Sequence, residues 1–440
     1  MIVKTKLGEI KGKSENGVAK YFGIPYAEAP VGDLRFKKPV PKKAWDECLN
    51  ADDFSTKCPQ LSIPVQPDNG IPQSEDCLYL NIWAPDNNNE KKPVFFWIFG
   101  GGLSAGEGST DTYDGSEFAK NGDVIVVTFN YRVGIFGGFF NFAALPGMEG
   151  KYEVNTGMYD ILEALKWVNE NIEAFGGDKD NITLCGESAG ASLAALLLYW
   201  PEAEGLFAKA ALESTFNYGV TPAADTKLAE KILSCAGLSA ENASDFLNLS
   251  TEEILKALSD SCGGNVLACG AGFQENEVFS GTLQTMLQKG FADVPILIGY
   301  NHDEGNIFAN PQAPDFAEQA VQMTRFLFES VIDAVLAAEN RSSKTFIYRY
   351  DYIPAPLKAQ GMGALHSAEM PCVFHTLTSS MGGALMADAE ASETVSMAMH
   401  KNWISFLQNG APNWNAFSAD SPSYMKFDVE SVECNDSWRV

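Results

Sequence analysis

Short apolar runs recur along the 440-residue chain, with helical stripes between them. Pro93–Phe99 (PVFFWIF), Val124–Phe129 (VIVVTF), Ile182–Cys185, Ala208–Leu212 and Val294–Gly299 are each bounded by Gly, Asn or Asp. Runs this short and apolar predict strands buried on both faces of a parallel sheet. From Met158 to Ala174, the residues Ile161, Leu162, Leu165, Val168 and Ile172 fall on one helical stripe. Ser188–Tyr199 reads as a second helix, ended by Pro201. Lys344–Tyr350 (KTFIYRY) adds a late strand, and Glu393–Leu407 a last helix before the turn Asn409-Gly410. This alternation predicts an α/β, doubly wound architecture: a central, mostly parallel twisted sheet flanked by helices. A small antiparallel hairpin is expected before Pro30. The stretch 218–290 reads as mainly helical, without a strand signal, and is expected to be an excursion over the sheet edge. With neither an internal repeat nor a low-complexity linker, residues 1–440 are expected to form one domain, where length alone suggests about three.

Charge removes some functions. Asp and Glu number 57 against 31 Lys and Arg, a net charge of −26. Nucleic acid and anionic membranes are therefore poor partners, because both draw their affinity from cationic side chains. The apolar run Ala189–Trp200 is too short to span a bilayer. Met1–Glu9 lacks the continuous apolar stretch of a signal peptide, and the nine cysteines are scattered without a C-x-x-C pair. The expectation is a cytoplasmic protein with mostly reduced thiols; a secreted mature form stays open.

The pattern G-x-S-x-G occurs twice, at Gly102–Gly106 around Ser104 and at Gly186–Gly190 around Ser188. A nucleophile elbow needs a strand before the serine and a helix after it. Ser188 follows ITLC and opens SLAALLLY, whereas Ser104 leads into the loop AGEGSTDTYDG. Ser188 is thus the candidate nucleophile, at a helix N-terminus whose N–H groups favour developing negative charge. Gly100-Gly101-Gly102 follows the strand PVFFWIF. Glycine lets backbone donors approach a substrate oxygen closely, as an oxyanion hole requires.

A serine nucleophile needs an imidazole base, and the imidazole needs a carboxylate to orient it. The four histidines, His302, His366, His375 and His400, all follow Ser188. His400 lies in a helix pattern, and His302 precedes the candidate acids by one or two residues. His366, in the Gly-rich loop GMGALHSAEM, is the candidate base, with His375 the runner-up. The strand VPILIG leads into Tyr300–Gly305, where Asp303 and Glu304 are both candidate acids.

Motifs across nearly the whole chain resemble the type-B carboxylesterases of the α/β-hydrolase superfamily, the group that includes the cholinesterases. They are Gly23–Phe36 (GIPYAEAPVGDLRF), Glu75–Asn81 (EDCLYLN), the glycine run, Asn130–Gly134 (NYRVG), Ala174–Gly190 (AFGGDKDNITLCGESAG), Ile298–Gly305 (IGYNHDEG) and His366–Glu369 (HSAE), in the family order. The resemblance implies an α/β-hydrolase fold and a serine carboxylesterase acting on small-molecule esters through an acyl-enzyme. It implies Glu304 rather than Asp303 as acid, with Asp303 a solvated turn residue. Gly101, Gly102 and Ala189 are implied as oxyanion donors, and Ser214 as the serine that bonds the acid. Arg132 with Asp160, and Arg35 with Glu75, are implied ion pairs. Cys58 and Cys77 match a disulfide of secreted members; free thiols are expected here. No metal or organic cofactor is implied, and no Cys/His spacing suggests zinc. Thioesters, amides or lactones suit the same triad. A non-catalytic adhesion homologue would lack it.

Two departures bear on function. Phe99 stands where many members have His before the glycines. Only 61 residues separate Glu304 from His366, fewer than in full-length relatives, which predicts a shallower, more open site. The acidic balance favours neutral or cationic esters.

Overall fold

The computed structural model describes residues 1–440 except 64–68, 88–90, 266, 268 and 339–340. Among the described residues, eleven strands form one sheet. In chain order these are β1 (Lys13–Glu15), β2 (Val18–Pro25), β3 (Tyr79–Pro85), β4 (Lys92–Ile98), β5 (Ile125–Phe129) and β6 (Gly177–Glu187). The rest are β7 (Lys209–Glu213), β8 (Ile296–Asn301), β9 (Thr345–Tyr350), β10 (Tyr424–Phe427) and β11 (Val432–Cys434). The spatial order is β11-β10-β9-β8-β7-β6-β4-β5-β3-β2-β1. From β5 through β10 every neighbouring pair is parallel, and the pairs beyond are antiparallel. This is the α/β-hydrolase arrangement: a mostly parallel sheet flanked by helices.

The apolar runs become the central strands because both faces are covered. Every residue of β5 and β7 is buried, and all but Pro93 in β4. On the faces lie α1 (Thr156–Asn171), α2 (Ala189–Tyr199) and α4 (Ala389–Asn409), while α3 (Thr251–Cys262) packs against the helix Lys227–Cys235. Ten of the eleven residues of α2 are buried, as expected of a helix that is apolar all round. Gly410 adopts φ 70° and ends α4, the left-handed cap that Asn409-Gly410 signalled.

Two expectations are corrected. The N-terminus forms two small antiparallel pairs, not one. Ile2–Lys4 pairs with Glu9–Lys11, which Leu49–Asn50 joins in parallel, while β1 and β2 extend the main sheet. The stretch 218–290 contains a parallel strand pair, Val220–Thr221 with Phe273–Gln274. Two-residue strands carry no detectable period.

Candidate active site

Parallel register brings the site together at the carboxyl ends of four adjacent strands, where open α/β sheets bind ligands. Ile98 of β4 stands beside Gly186 of β6, and Glu187 beside Glu213 of β7, which in turn faces Gly299 of β8. The chain segments leaving these ends carry the glycine run, Ser188, Ser214 and Glu304.

Ser188 joins β6 to α2 at φ 58° and ψ −126°. A non-glycine residue at positive φ is strained and persists only where its surroundings impose it. Here the Ser188 N–H donates to Glu213 O at 2.9 Å. The flanking glycines are steric necessities: a β-carbon at Gly190 would stand 2.0 Å from Ile98 O, and one at Gly186 would stand 2.6 Å from Gly190 C. The turn presents Oγ to His366 Nε2 at 2.8 Å. His366 Nδ1 lies 2.6 Å from Glu304 Oε2, and Glu304 Oε1 accepts the Asn301 N–H at 2.9 Å. Serine, imidazole and carboxylate thus form one continuous hydrogen-bonded line.

The glycine run lies alongside. Gly101 and Gly102 have φ 110° and 63°, and a β-carbon at Gly101 would stand 2.1 Å from Ala105 O. A β-carbon at Gly100 would stand 3.0 Å from Ser188 Cβ, so the run backs directly onto the serine. Ala189 is the first residue of α2, and its N–H therefore has no carbonyl partner within the helix.

The other candidates separate cleanly. Ser104 is buried in a loop, its Oγ donating to Gly102 O at 3.2 Å. His375 Nδ1 pairs with Ser396 Oγ at 2.7 Å, and buried His400 Nδ1 with Val373 O at 2.8 Å. Neither meets Ser188. Asp303 is not a solvated turn residue: half-buried, it accepts the Ala364 N–H on Oδ2 at 2.7 Å while its own N–H donates to Ala364 O. It fastens the His366 loop to the end of β8. His302 Nδ1 lies 3.0 Å from Asp303 Oδ1, away from the serine. Ser214 Oγ donates to Glu369 Oε1 at 3.5 Å, rather than to Glu304 as the resemblance implied.

Two carboxyl groups without assigned roles, Glu187 and Glu369, act on the imidazole, and Glu369 in turn acts on a third, Glu213. Glu187 Oε1 lies 3.3 Å from His366 Nε2 and accepts the Ser367 hydroxyl at 2.6 Å. Glu369 bonds Asn301 Nδ2 and Ser214, and Glu213 accepts the Trp403 N–H at 2.8 Å. All three are buried. Burial raises the proton affinity of Glu187, and burial with the Glu187 and Glu304 charges pushes Glu369 up to about 8. Glu213 is also raised, by burial first and then by Glu369. Burial alone would lower His366, but Glu304 and Glu187 outweigh it and hold its proton affinity above the usual range. The carboxyls of GES and HSAE were visible as residues; that they converge on one ring was not.

Bidentate pairs brace the surrounding loops. Arg132 binds Asp160 through Nε at 2.8 Å and Nη2 at 2.7 Å, and Arg35 binds Glu75 at 2.7 and 2.6 Å. Arg35 also reaches Leu247 O and Leu249 O. Phe99 stacks on Tyr131 with ring centroids 4.2 Å apart. Cys58 and Cys77 are buried and unbridged, so the implied pairing is not formed. Cys262 and Cys269 are bridged instead. The expectation of mostly reduced thiols did not include this pair.

Comparison with known proteins agrees with this fold. The model of the carboxylesterase family matches residues 1–340 and 318–438. The chain is 35% identical to the para-nitrobenzyl esterase of Bacillus subtilis (strain 168), over 99% of this chain and 96% of the relative. It is 30% identical to the phenmedipham hydrolase of Pseudarthrobacter oxydans, over 98% and 96%. A solved PNB esterase superposes with a TM-score of 0.88 at 33% identity, covering 99% of this chain and 97% of the other. The chain belongs to the carboxylesterase family and hydrolyses carboxylic esters.

Proposed function

We propose that Ser188 is the nucleophile, His366 the general base and Glu304 the acid that orients it, with oxyanion donors at Gly101, Gly102 and Ala189. The hydrogen-bonded line from Ser188 Oγ through both imidazole nitrogens to Glu304 carries this reading. His366 Nε2 takes the Ser188 proton as Oγ bonds to the ester carbonyl carbon. The backbone N–H groups stabilise the oxyanion, which collapses as the bond to the alcohol oxygen breaks and His366 protonates it. Water then gives a proton to His366 and attacks the acyl-enzyme. Breakdown of this second intermediate releases the acid, and His366 returns the proton to Ser188.

Residues 1–440 read as one hydrolase domain with an excursion over 218–290. The surface beside the base is apolar. Phe308 and Phe328 stand 6.2 and 5.5 Å from the imidazole, and Phe308 is 39% exposed. Neutral or cationic small-molecule esters suit this surface and the buried carboxyls behind it.

Ser188→Ala and His366→Ala, assayed on p-nitrophenyl acetate, should each lower kcat/KM by about ten-thousand-fold or more, whereas His375→Ala should leave it within about threefold. Turnover surviving in Ser188→Ala would overturn the assignment.

A further inference from the structure

Ser367 follows the base directly and adopts φ 65°, a conformation that suits glycine. Its hydroxyl donates at 2.6 Å to Glu187 Oε1, the same oxygen that lies 3.3 Å from His366 Nε2. Nε2 is also the nitrogen that meets Ser188 Oγ, at 2.8 Å. Two groups therefore converge on the nitrogen that must accept the serine proton. A protonated Glu187 would offer its own O–H there and compete with Ser188. An ionised Glu187 instead faces the imidazolium as that ion forms.

We propose that Ser367 is a positioning residue: its hydroxyl holds Glu187 ionised and turned toward Nε2, so that Ser188 keeps its place as hydrogen-bond donor to the base. A hydrogen bond to a carboxylate favours the charged form; the His366 charge and then the Ser367 hydroxyl act on Glu187 in this sense, against its burial. Other titratable groups around this carboxylate do not replace that bond. Glu304 is committed to Nδ1, Glu369 to Asn301 and Ser214, and Glu213 to Trp403. The phenols of Tyr113, Tyr131, Tyr218 and Tyr348, whose titration Glu187 influences, are all raised by burial and stay neutral. The strained backbone at Ser367 agrees with a side chain retained for its hydroxyl.

The inference rests on the proposed roles of Ser188 and His366, and its test separates the two. The acid limb of kcat/KM for p-nitrophenyl acetate reports the protonation of the free enzyme's base. Without the hydroxyl, Glu187 protonates at higher pH, the negative field at His366 weakens and its base form appears at lower pH. In Ser367→Gly, which suits the observed φ, and in Ser367→Ala, the limb should move down by about half a pH unit or more. Glu187→Gln should move it the same way, and Ser367→Gly in that background should add nothing. Unchanged limbs in both Ser367 variants, a shift upward, or a full further shift when Ser367→Gly is added to Glu187→Gln would overturn the inference. If Ser188→Ala retained activity, the reading of the site itself would fall, independently of these profiles.

Discussion

At the scale of single residues, context rather than motif singles out the candidate nucleophile. Ser104 and Ser188 share G-x-S-x-G, but only Ser188 is held at φ 58° between a buried strand and a helix N-terminus. That was legible, because strand–turn–helix punctuation is written in local apolar pattern. Chemistry alone did not separate Asp303 from Glu304, since both leave the same strand. The structure turns them apart: Glu304 Oε2 toward His366 Nδ1, Asp303 Oδ2 toward the Ala364 N–H. Ser214 was misassigned because its partner depends on where Glu369 falls, on a loop 155 positions away. Glu187 was hidden for a similar reason: its nearness to Nε2 follows from the entry path of the His366 loop, which no local pattern encodes.

At the scale of elements, most central strands were readable to within a residue or two, though β6 begins five residues before the run Ile182–Cys185, and the short pairs at the periphery were not. Long buried runs announce themselves through apolar continuity; Val220–Thr221 and Phe273–Gln274 are held by partners far away in sequence. Loops between strands rely on charge pairs instead. Arg132 and Asp160 are both buried, and the Asp160 carboxylate also accepts the Arg132 backbone N–H at 3.0 Å. Arg132→Ala leaves that carboxylate buried without its cation, which should cost about 3–5 kcal/mol and lower the melting temperature by several degrees. Replacing both partners by apolar residues of similar volume should restore much of it. An unchanged melting temperature in Arg132→Ala would contradict this role.

At the scale of the whole molecule, the chain matches 96% of the length of the Bacillus subtilis relative, so the shared body is nearly entire. Within the segment between Glu304 and His366, Ile307, Phe308, Phe326 and Met362 are exposed, and Phe308 stands beside the His366 ring. No helix among the described residues is long and apolar enough to cross a membrane. The net charge of −26 acts on whatever approaches the site. Long-range attraction weakens as salt shortens the Debye length, to about 10 Å at 0.1 M. Raising ionic strength should therefore lower kcat/KM for a cationic ester, raise it for an anionic one and spare a neutral ester. The reverse order would argue against steering by the acidic surface. The central claim, that this family member acts through Ser188, is tested most directly by covalent capture. After reaction with a fluorophosphonate, peptide mass mapping should find one adduct, on Ser188, with complete loss of esterase activity; an adduct on Ser104, or full activity beside a labelled Ser188, would contradict it.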